Sequence, residues 1–366
     1  MSMINATNAN TMKEKNKRLL INLIRRDECS RADLAKATAL TKAAVSIIVD
    51  DLIKDGVVFE SKSMESGIGR RPLLLKLDPT FMYSVGINIT RRYAELGIVD
   101  ISGKIICEKK FDVYPKKEAI ANITKNIETM IQENNIPYDN IYGVGVTAPG
   151  PVDVLNTTIL NPVHFDEWHY ENIGLRLKNV LPRKVYLENV SGGLALCEKY
   201  FGIAKKMDDF LVLVVDEGIG SGIMTSGKLL RNASELGHTS IAYDGPQCEC
   251  GNFGCVEKYA SIGAILQDTE YTSWKEVIDA DDEALIEKEA EYLSCAIINA
   301  VNLFSLENVI LEGEINYKTE KLIQSIETKM KRNKITKNPP KICSGSAYHG
   351  EVRAAVTVFD NYLNKS

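Results

Sequence analysis

The stretch SRADLAKATALTKAAVSIIVDDLIKDG, residues 30–56, predicts two short helices joined by a tight connection. Ser30 stands at an N-cap position, and Asp33 follows in the first turn, where a negative charge favours the helix N-terminus. Thr41 is a second N-cap, for a helix that ends at Gly56. The predicted core face of this helix is Val45, Ile48, Val49, Leu52 and Ile53. This order of caps and apolar positions indicates the last two helices of a helix-turn-helix.

A helix before this stretch and two strands after it complete the pattern of a winged helix-turn-helix. Residues 12–26 carry apolar side chains at helical spacing, and the apolar runs on either side of residues 61–72 predict strands. The loop 61–72 would form the wing, with Arg70 and Arg71 on a glycine-containing backbone. We expect residues 1–78 to bind double-stranded DNA through the third helix and the wing. The residues expected to contact DNA are Arg31, Thr41, Lys42, Ala43, Ser46, Arg70 and Arg71.

The alternative for this segment is a three-helix module that binds another protein and leaves its arginines in water. The charge distribution favours DNA. Residues 1–78 contain 14 Lys and Arg against 10 Asp and Glu, whereas the remaining residues contain 30 against 39. A basic module ahead of an acidic body suits DNA contact through the module alone.

The targeting signals of membrane and secreted proteins are missing from the sequence. No apolar run approaches the roughly 20 residues that cross a bilayer. The first residues also lack the apolar core of a signal peptide. We therefore expect a cytoplasmic protein without a membrane partner.

Residues 79–366 have the pattern of an α/β protein. Three strands are predicted in a meander between Tyr83 and Ile106, and apolar strands then alternate with helices. A turn into the next strand is predicted at Gly218, Gly220 and Gly222. Alternating strands and helices predict a mixed sheet covered by helices.

His238 and the run Cys248-Glu-Cys250-Gly-Asn-Phe-Gly-Cys255 carry the ligand set of a metal site. One imidazole and three thiols complete a tetrahedral shell around Zn²⁺, which indicates a structural site because no open position is left. The glycines at 251 and 254 allow the tight loop that turns three sulfurs toward one point. Free thiols, or a redox pair to which His238 is unrelated, are the alternative.

Segments along the body resemble the ROK family of repressors and kinases, most closely its branch of NagC-like and xylose repressors. The matching segments are residues 145–153, 188–189, 235–238 and 248–257. The resemblance implies an actin-like (ribonuclease H-like) two-lobed sugar-kinase fold for residues 79–366. One lobe would hold residues 79–190 and the C-terminal helix, and the other, residues 191–347, the zinc loop. By the same resemblance, sugar hydroxyls would be bound by Asn189, Glu235, His238 and Glu257.

Two departures from the family pattern remove the parts that transfer phosphate. Family kinases carry a glycine-rich phosphate loop where this chain has Asn88-Ile89-Thr90-Arg91-Arg92. They also carry an Asp directly after the Asn as general base, and here that residue is Val190. We therefore expect no nucleotide cofactor and no enzyme activity.

Other departures change the sugar site. Between Gly227 and Glu235 the chain is about three residues shorter than the family pattern, and Gly192-Gly193 replaces Asn-Ala. These differences argue against the hexose specificity that is usual in the family. Glu235 and Glu257 could hold a polyol, or be relics without a ligand.

Together these features predict a repressor of carbohydrate genes that senses a sugar or a sugar derivative. It would act as a homodimer or a dimer of dimers on a roughly palindromic operator. Two alternatives stay open: an active sugar kinase with an accessory DNA-binding arm, and a DNA-binding regulator without a small effector.

Overall fold

A computed structural model describes residues 9–62, 73–231, 235–332, 335 and 338–364. Its N-terminal part contains α1 (Ala9–Arg26), α2 (Arg31–Thr38), α3 (Lys42–Lys54), β1 (Val58–Lys62) and β2 (Leu73–Leu77). β1 and β2 pair antiparallel, and Cys29 adds a bridge to Leu75. The predicted three helices and two strands are confirmed. Of the predicted wing, Ser61 and Lys62 belong to β1, and residues 63–72, with Arg70 and Arg71, lie outside the described residues.

Local capping explains where the two short helices begin. The Ser30 side chain accepts a hydrogen bond from the Asp33 amide, and the Asp33 carboxylate accepts one from the Ser30 amide. Such reciprocal capping satisfies two amides that a helix start leaves unpaired. Thr41 caps α3 through a single hydrogen bond, which its hydroxyl accepts from the Ala44 amide, and Ala39 with φ 56° turns the chain between the helices. The predicted caps are therefore confirmed.

The core of this part is built by one stripe from each helix. Leu20 and Ile24 of α1 pack with Leu34 of α2 and with a stripe on α3 formed by Val45, Ile48, Val49 and Leu52. The expectation that Ile53 belongs to this stripe is wrong, because its side chain is 36% exposed. At 100° per residue, position 53 lies about 90° from the centre of the buried stripe.

The rest of the chain forms two large sheets. Its first half contains β3 (Tyr83–Ile89), β4 (Tyr93–Asp100), β5 (Ile105–Asp112), α4 (Lys116–Glu133), β6 (Ile141–Ala148), β7 (Val152–Asp153), β8 (Thr158–Ile159), β9 (Glu171–Asn172), α5 (Ile173–Lys178) and β10 (Val185–Asn189). Its second half contains α6 (Val190–Tyr200), β11 (Phe210–Val215), β12 (Ile219–Thr225), β13 (Lys228–Leu229), α7 (Glu257–Ala260), α8 (Ile262–Ile265), α9 (Trp274–Asp279), α10 (Glu283–Phe304), β14 (Asn308–Gly313), α11 (Glu320–Met330), β15 (Lys341–Ser344) and α12 (Gly350–Leu363).

Each large sheet has five strands. The first has the order β10-β6-β3-β4-β5, in which β3, β4 and β5 form the predicted antiparallel meander and β6 runs parallel to β3. The second has the order β13-β12-β11-β14-β15. The mixed α/β class is confirmed. Among the described residues, no helix combines the length and the apolar character needed to cross a membrane.

The predicted glycine turn is found only at Gly218, which lies in a bend, and residues 219–222 form a strand instead. β12 begins at Ile219, and Gly220 and Gly222 lie inside it under α6. A Cβ at Gly220 would lie 2.2 Å from the Ser191 hydroxyl, and one at Gly222 would lie 2.3 Å from the Ser191 carbonyl oxygen. These glycines therefore serve close helix–strand packing, which short-range sequence cannot distinguish from a turn.

A row of glycines lets the last helix lie directly on the first sheet. Gly145 of β6, Gly86 of β3 and Gly97 of β4 are paired side by side in the sheet, and α12 covers them. A Cβ at Gly145 would lie 1.9 Å from the carbonyl oxygen of Ala354, and one at Gly86 would lie 2.1 Å from that of Glu351. We call this row the glycine groove. No residue with a side chain fits there unless α12 moves.

Gly145→Ala should therefore destabilise the protein by about 1–3 kcal/mol, the usual cost of overpacking a filled site. The matched control is Gly263→Ala, since a Cβ at Gly263 meets nothing within 4 Å. Chemical denaturation of both variants measures the difference. Equal stability of the two variants would show that α12 does not depend on the groove.

Candidate functional site: nucleic-acid interface, metal centre and cleft

The N-terminal turn of α3 presents small and basic side chains to solvent. Lys42 and Ala43 are exposed, Ser46 is half-buried, and Thr41 uses its hydroxyl to accept a hydrogen bond from the Ala44 amide at 3.1 Å. A short, positive helix start of this kind fits into the major groove, where side chains at this position reach base edges. The structure thus gathers these four predicted residues on one face.

Ile47 belongs to the same face and was not among the predicted contacts. Its side chain is 60% exposed although it is a large apolar residue. Position 47 lies about 150° from the centre of the buried stripe of α3, so the helical period alone could have identified it. An exposed apolar side chain on a recognition helix is suited to contact the methyl group of thymine.

Arg31 has protein partners in this structure. Its guanidinium pairs with Asp50 at 2.7 Å and with Glu60 at 2.9 Å, and its side chain is 30% exposed. These contacts tie the start of α2 to α3 and β1. Because the two carboxylates neutralise its charge, Arg31 orients the helices here, and its predicted DNA contact remains a prediction.

The four predicted metal ligands meet at one point. Nδ1 of His238 lies 3.7 Å from Sγ of Cys248, and Sγ of Cys250 lies 3.6 Å from Sγ of Cys255. All four ligand atoms lie within 4.8 Å of one another. Zn–S bonds of about 2.3 Å in a tetrahedron place neighbouring ligand atoms about 3.5–3.8 Å apart. The donor set therefore fits a four-coordinate zinc ion.

The loop that carries the thiols is fixed by its own backbone. Cys248 donates its amide to the Asn252 carbonyl at 2.8 Å, and Gly251 donates to the Cys248 carbonyl at 2.9 Å. Gly251 and Gly254 have φ of 92° and 64°, values that favour glycine. A Cβ at Gly254 would also lie 1.6 Å from the carbonyl oxygen of Ala242. Backbone conformation therefore explains the glycine at 251, and conformation together with space explains the one at 254.

A cleft of about 690 Å³ lies beside the metal loop. Three of the four residues predicted to bind sugar line it: Glu235, His238 and Glu257. Burial raises the pKa of Glu235, although the nearby His238 opposes the shift. Glu257 is held in place because its Oε2 accepts a hydrogen bond from the Ile219 amide at 2.8 Å.

Asn189, the fourth residue predicted to bind sugar, lies next to the cleft and caps a helix. Its Oδ1 accepts a hydrogen bond from the Gly192 amide at 2.6 Å, at the start of α6. A Cβ at Gly150, which lines the cleft, would lie 3.9 Å from the Asn189 Nδ2. The Cβ of Asn189 lies nearer to the same point, at 3.6 Å, so the side chain of Asn189 adjoins the cleft without lining it.

Several further lining residues were missed by the sequence interpretation. They are polar or basic, and some of them, such as Lys258 beside Glu257, are close in sequence to residues that were predicted: Arg91, His164, Lys258, Ser261 and Gln267. The Arg91 Nε donates to the Val163 carbonyl at 3.0 Å, and Arg92 pairs with Glu217. The two cations that replace the family phosphate loop therefore contact protein groups around the cleft.

Asn88, at the family's phosphate-loop position, forms hydrogen bonds through both its side-chain nitrogen and its side-chain oxygen. It is buried, its Nδ2 donates to Glu95 Oε2 at 2.8 Å, and its Oδ1 accepts from the Thr147 hydroxyl at 2.8 Å. Thr90 closes a tight turn through two hydrogen bonds with the Tyr93 backbone. This turn presents side chains where a phosphate loop presents free amides.

The fold and the site together define a member of a family of sugar kinases and related repressors. The sequence profile of the ROK family matches residues 84–357, and the chain belongs to this family. It is 30% identical to the xylose repressor of Bacillus subtilis (strain 168), over 83% of each chain. It is 26% identical to the DNA-binding transcriptional dual regulator NagC of Escherichia coli (strain K12), over 82% of this chain and 80% of that protein.

Solved structures agree on the fold. A ROK family transcriptional regulator, described as a homolog of the E. coli MLC protein, superposes with a TM-score of 0.79 at 24% identity, over 96% of this chain and 97% of that one. The ROK hexokinase of Thermus thermophilus superposes with a TM-score of 0.64 at 23% identity, over 76% of this chain and 98% of that one. The predicted two-lobed sugar-kinase fold is confirmed.

Replacement of Cys250 by Ser should remove the metal and lower the thermal stability of the protein, because a structural zinc contributes directly to folding. Elemental analysis should find one zinc per chain in the unaltered protein and none in the variant. Cys295→Ser is the control, since Cys295 lies on α10, away from the cluster. A Cys250→Ser protein with its full complement of zinc would exclude Cys250 as a ligand.

Proposed function

We propose that the protein is a DNA-binding transcriptional repressor of carbohydrate-metabolism genes. Residues 1–78 contact the operator, and residues 79–366 sense a sugar or a sugar derivative in the cleft. The observation that carries this proposal is the similarity to xylose and NagC-type repressors over more than 80% of the chain. The exposed start of α3 supports it, because a helix-turn-helix uses that surface to reach bases.

The body acts as a sensor and not as a catalyst. Phosphoryl transfer needs a loop of free amides for the nucleotide phosphates and a general base for the sugar hydroxyl. Asn88 is occupied by Glu95 and Thr147, and Val190 stands at the position of the base. The cleft therefore retains groups that can bind hydroxyls and lacks those that would move phosphate.

The zinc would hold the cleft in shape. His238 faces Cys248 through Nδ1 and also lines the cleft, and Glu257 follows Cys255 by two residues. A bound zinc would fix the imidazole and stiffen the segment that leads to Glu257. Glu235, His238, Glu257 and the Asn189 amide are the groups that would bind the sugar.

The working form would be a cytoplasmic homodimer or a dimer of dimers. A palindromic operator presents two half-sites related by a two-fold axis, so two copies of α3 are needed to read it. Sugar binding would then change repression by altering how the two modules are held relative to each other.

A chain of polar contacts runs from Glu188, which precedes Asn189 beside the cleft, to α1 of the N-terminal part. Arg231 pairs with Glu188 at 3.2 Å and with Asp360 of α12 at 2.8 Å, and Asp360 accepts a hydrogen bond from the Tyr200 hydroxyl at 3.0 Å. The Tyr200 ring lies 4.3 Å below the guanidinium of Arg25, which comes from α1. We call these five residues the polar chain.

Both ends of the polar chain are placed to transmit a structural change from the region of the cleft to α1. Glu188 immediately precedes Asn189, and burial raises the pKa of Glu188 to about 7 while Arg231 opposes the shift. At the other end, burial lowers the pKa of Arg25 to about 10. The energy of a buried charge depends strongly on its partners. A movement of Arg231 would therefore change the interactions of Tyr200 and, through Arg25, of α1.

Arg231→Gln should loosen the end of α1 even without a sugar. The charged contacts to Glu188 and Asp360 would be lost, and we expect about tenfold faster hydrogen exchange in α1, the equivalent of roughly 1.4 kcal/mol. Arg332→Gln is the control, because Arg332 also loses an ion pair, with Glu291 at 2.6 Å, but between α10 and the end of α11. Unchanged exchange in α1 of the Arg231→Gln protein would contradict the coupling.

DNA binding is tested by salt titrations on a selected operator and on a scrambled duplex. Alanine at Lys42 or Ser46 should reduce discrimination between the two duplexes by roughly 1–3 kcal/mol per lost base contact. Alanine at both Arg70 and Arg71 should weaken binding to both duplexes. It should also make the slope of log affinity against log salt shallower by about one to two units.

The matched control for the double variant is Lys125→Ala with Lys178→Ala, two exposed cations of the body. This control should keep the slope of the unaltered protein. If residues 79–366 alone bound the operator as tightly as the full chain, the proposed interface would be in the wrong part of the protein.

A further inference from the structure

A carboxylate side chain, that of Glu108, follows the glycine groove at its β5 end. In the register of the first sheet, Gly97 of β4 is paired with Glu108 of β5, so Glu108 continues the row formed by Gly145, Gly86 and Gly97. A Cβ at Gly97 would lie 2.7 Å from Cγ of Glu351. Because Gly97 has no side chain, Glu351 in the first turn of α12 can pack against the sheet beside Glu108.

The carboxylate of Glu351 is buried and only partly stabilised by its surroundings. Its residue is 4% exposed, and within the part of the chain that the structure describes its Oε2 has no hydrogen-bond partner. Burial raises the pKa of Glu351, and the neighbouring carboxylates of Glu95 and Glu108 raise it further. A buried carboxylate oxygen without a partner costs free energy that a bound cation would recover.

An imidazole completes this arrangement. His349 directly precedes α12 and makes no side-chain capping bond to the helix. One ligand atom each from Glu108, His349 and Glu351 lies within 4.8 Å of the other two. Glu108 and His349 are exposed, so an ion can enter from solvent, while Glu351 forms the buried floor.

We propose that Glu108, His349 and Glu351 form a second metal site, for a divalent transition-metal ion. Two carboxylates and one imidazole are oxygen and nitrogen ligands, which suit Mn²⁺ or Fe²⁺, in contrast to the thiolates of the zinc loop. The two negative charges balance a divalent ion, and three protein ligands leave positions for water. The ion would join the edge strand β5 to the first turn of α12.

The two sites can be distinguished with Mn²⁺ as the probe. Zinc forms more stable complexes than manganese with the same ligands, so the Cys and His site of the zinc-loaded protein should keep its zinc. Electron paramagnetic resonance of free Mn²⁺ during titration of the full-length, zinc-loaded protein counts the bound ions. We expect one Mn²⁺ per chain.

Glu351→Gln and His349→Ala should each abolish this binding, with the zinc content unchanged. Glu128→Gln, at an exposed position on α4, is the control and should bind manganese as the unaltered protein does. His349 is exposed, so its replacement tests the site even if Glu351→Gln fails to fold. The unaltered protein binding no more Mn²⁺ than His349→Ala, or undiminished binding by either ligand variant, would overturn the proposal.

Discussion

The direct contact between α12 and the glycine groove is the constraint on which the body depends. Helix backbone lies against strand backbone there, so the position of α12 is set by hard contacts and not by adaptable side chains. α12 also packs against α6 and, more lightly, against α1. One helix near the C-terminus therefore links the first sheet, the second half of the chain and the N-terminal part.

The departures from the family's kinase pattern have structural consequences of their own. Gly193, where the family has Ala, lets α6 approach α12, since a Cβ there would lie 2.7 Å from the Arg353 carbonyl oxygen. Arg92 pairs with Glu217, a contact between a turn of the first sheet and the loop before β12. Of these two contacts, only the exposed pair of Arg92 and Glu217 joins the two halves of the chain.

Local patterns predicted the parts that depend on near neighbours in the chain. The caps Ser30 and Thr41, the strand meander and the metal ligand set each follow from a pattern within one continuous segment, and all are found. The strand at residues 219–222 was missed because its environment is set by tertiary packing, whereas the exposed Ile53 could have been expected from the helical period. Likewise, the partners of Arg31 and the row that leads to Glu108 depend on pairing between distant segments, which a single sequence does not reveal.

The central claim is that this family member reads DNA sequence through α3. Sequencing of the genomic fragments that the purified full-length protein captures tests it most directly. The account predicts one enriched inverted repeat near carbohydrate genes, with half-sites separated by whole turns of about 10–10.5 base pairs. Enrichment should be lost when Lys42 and Ser46 are replaced by Ala. Captured fragments distributed like the input DNA would contradict the account.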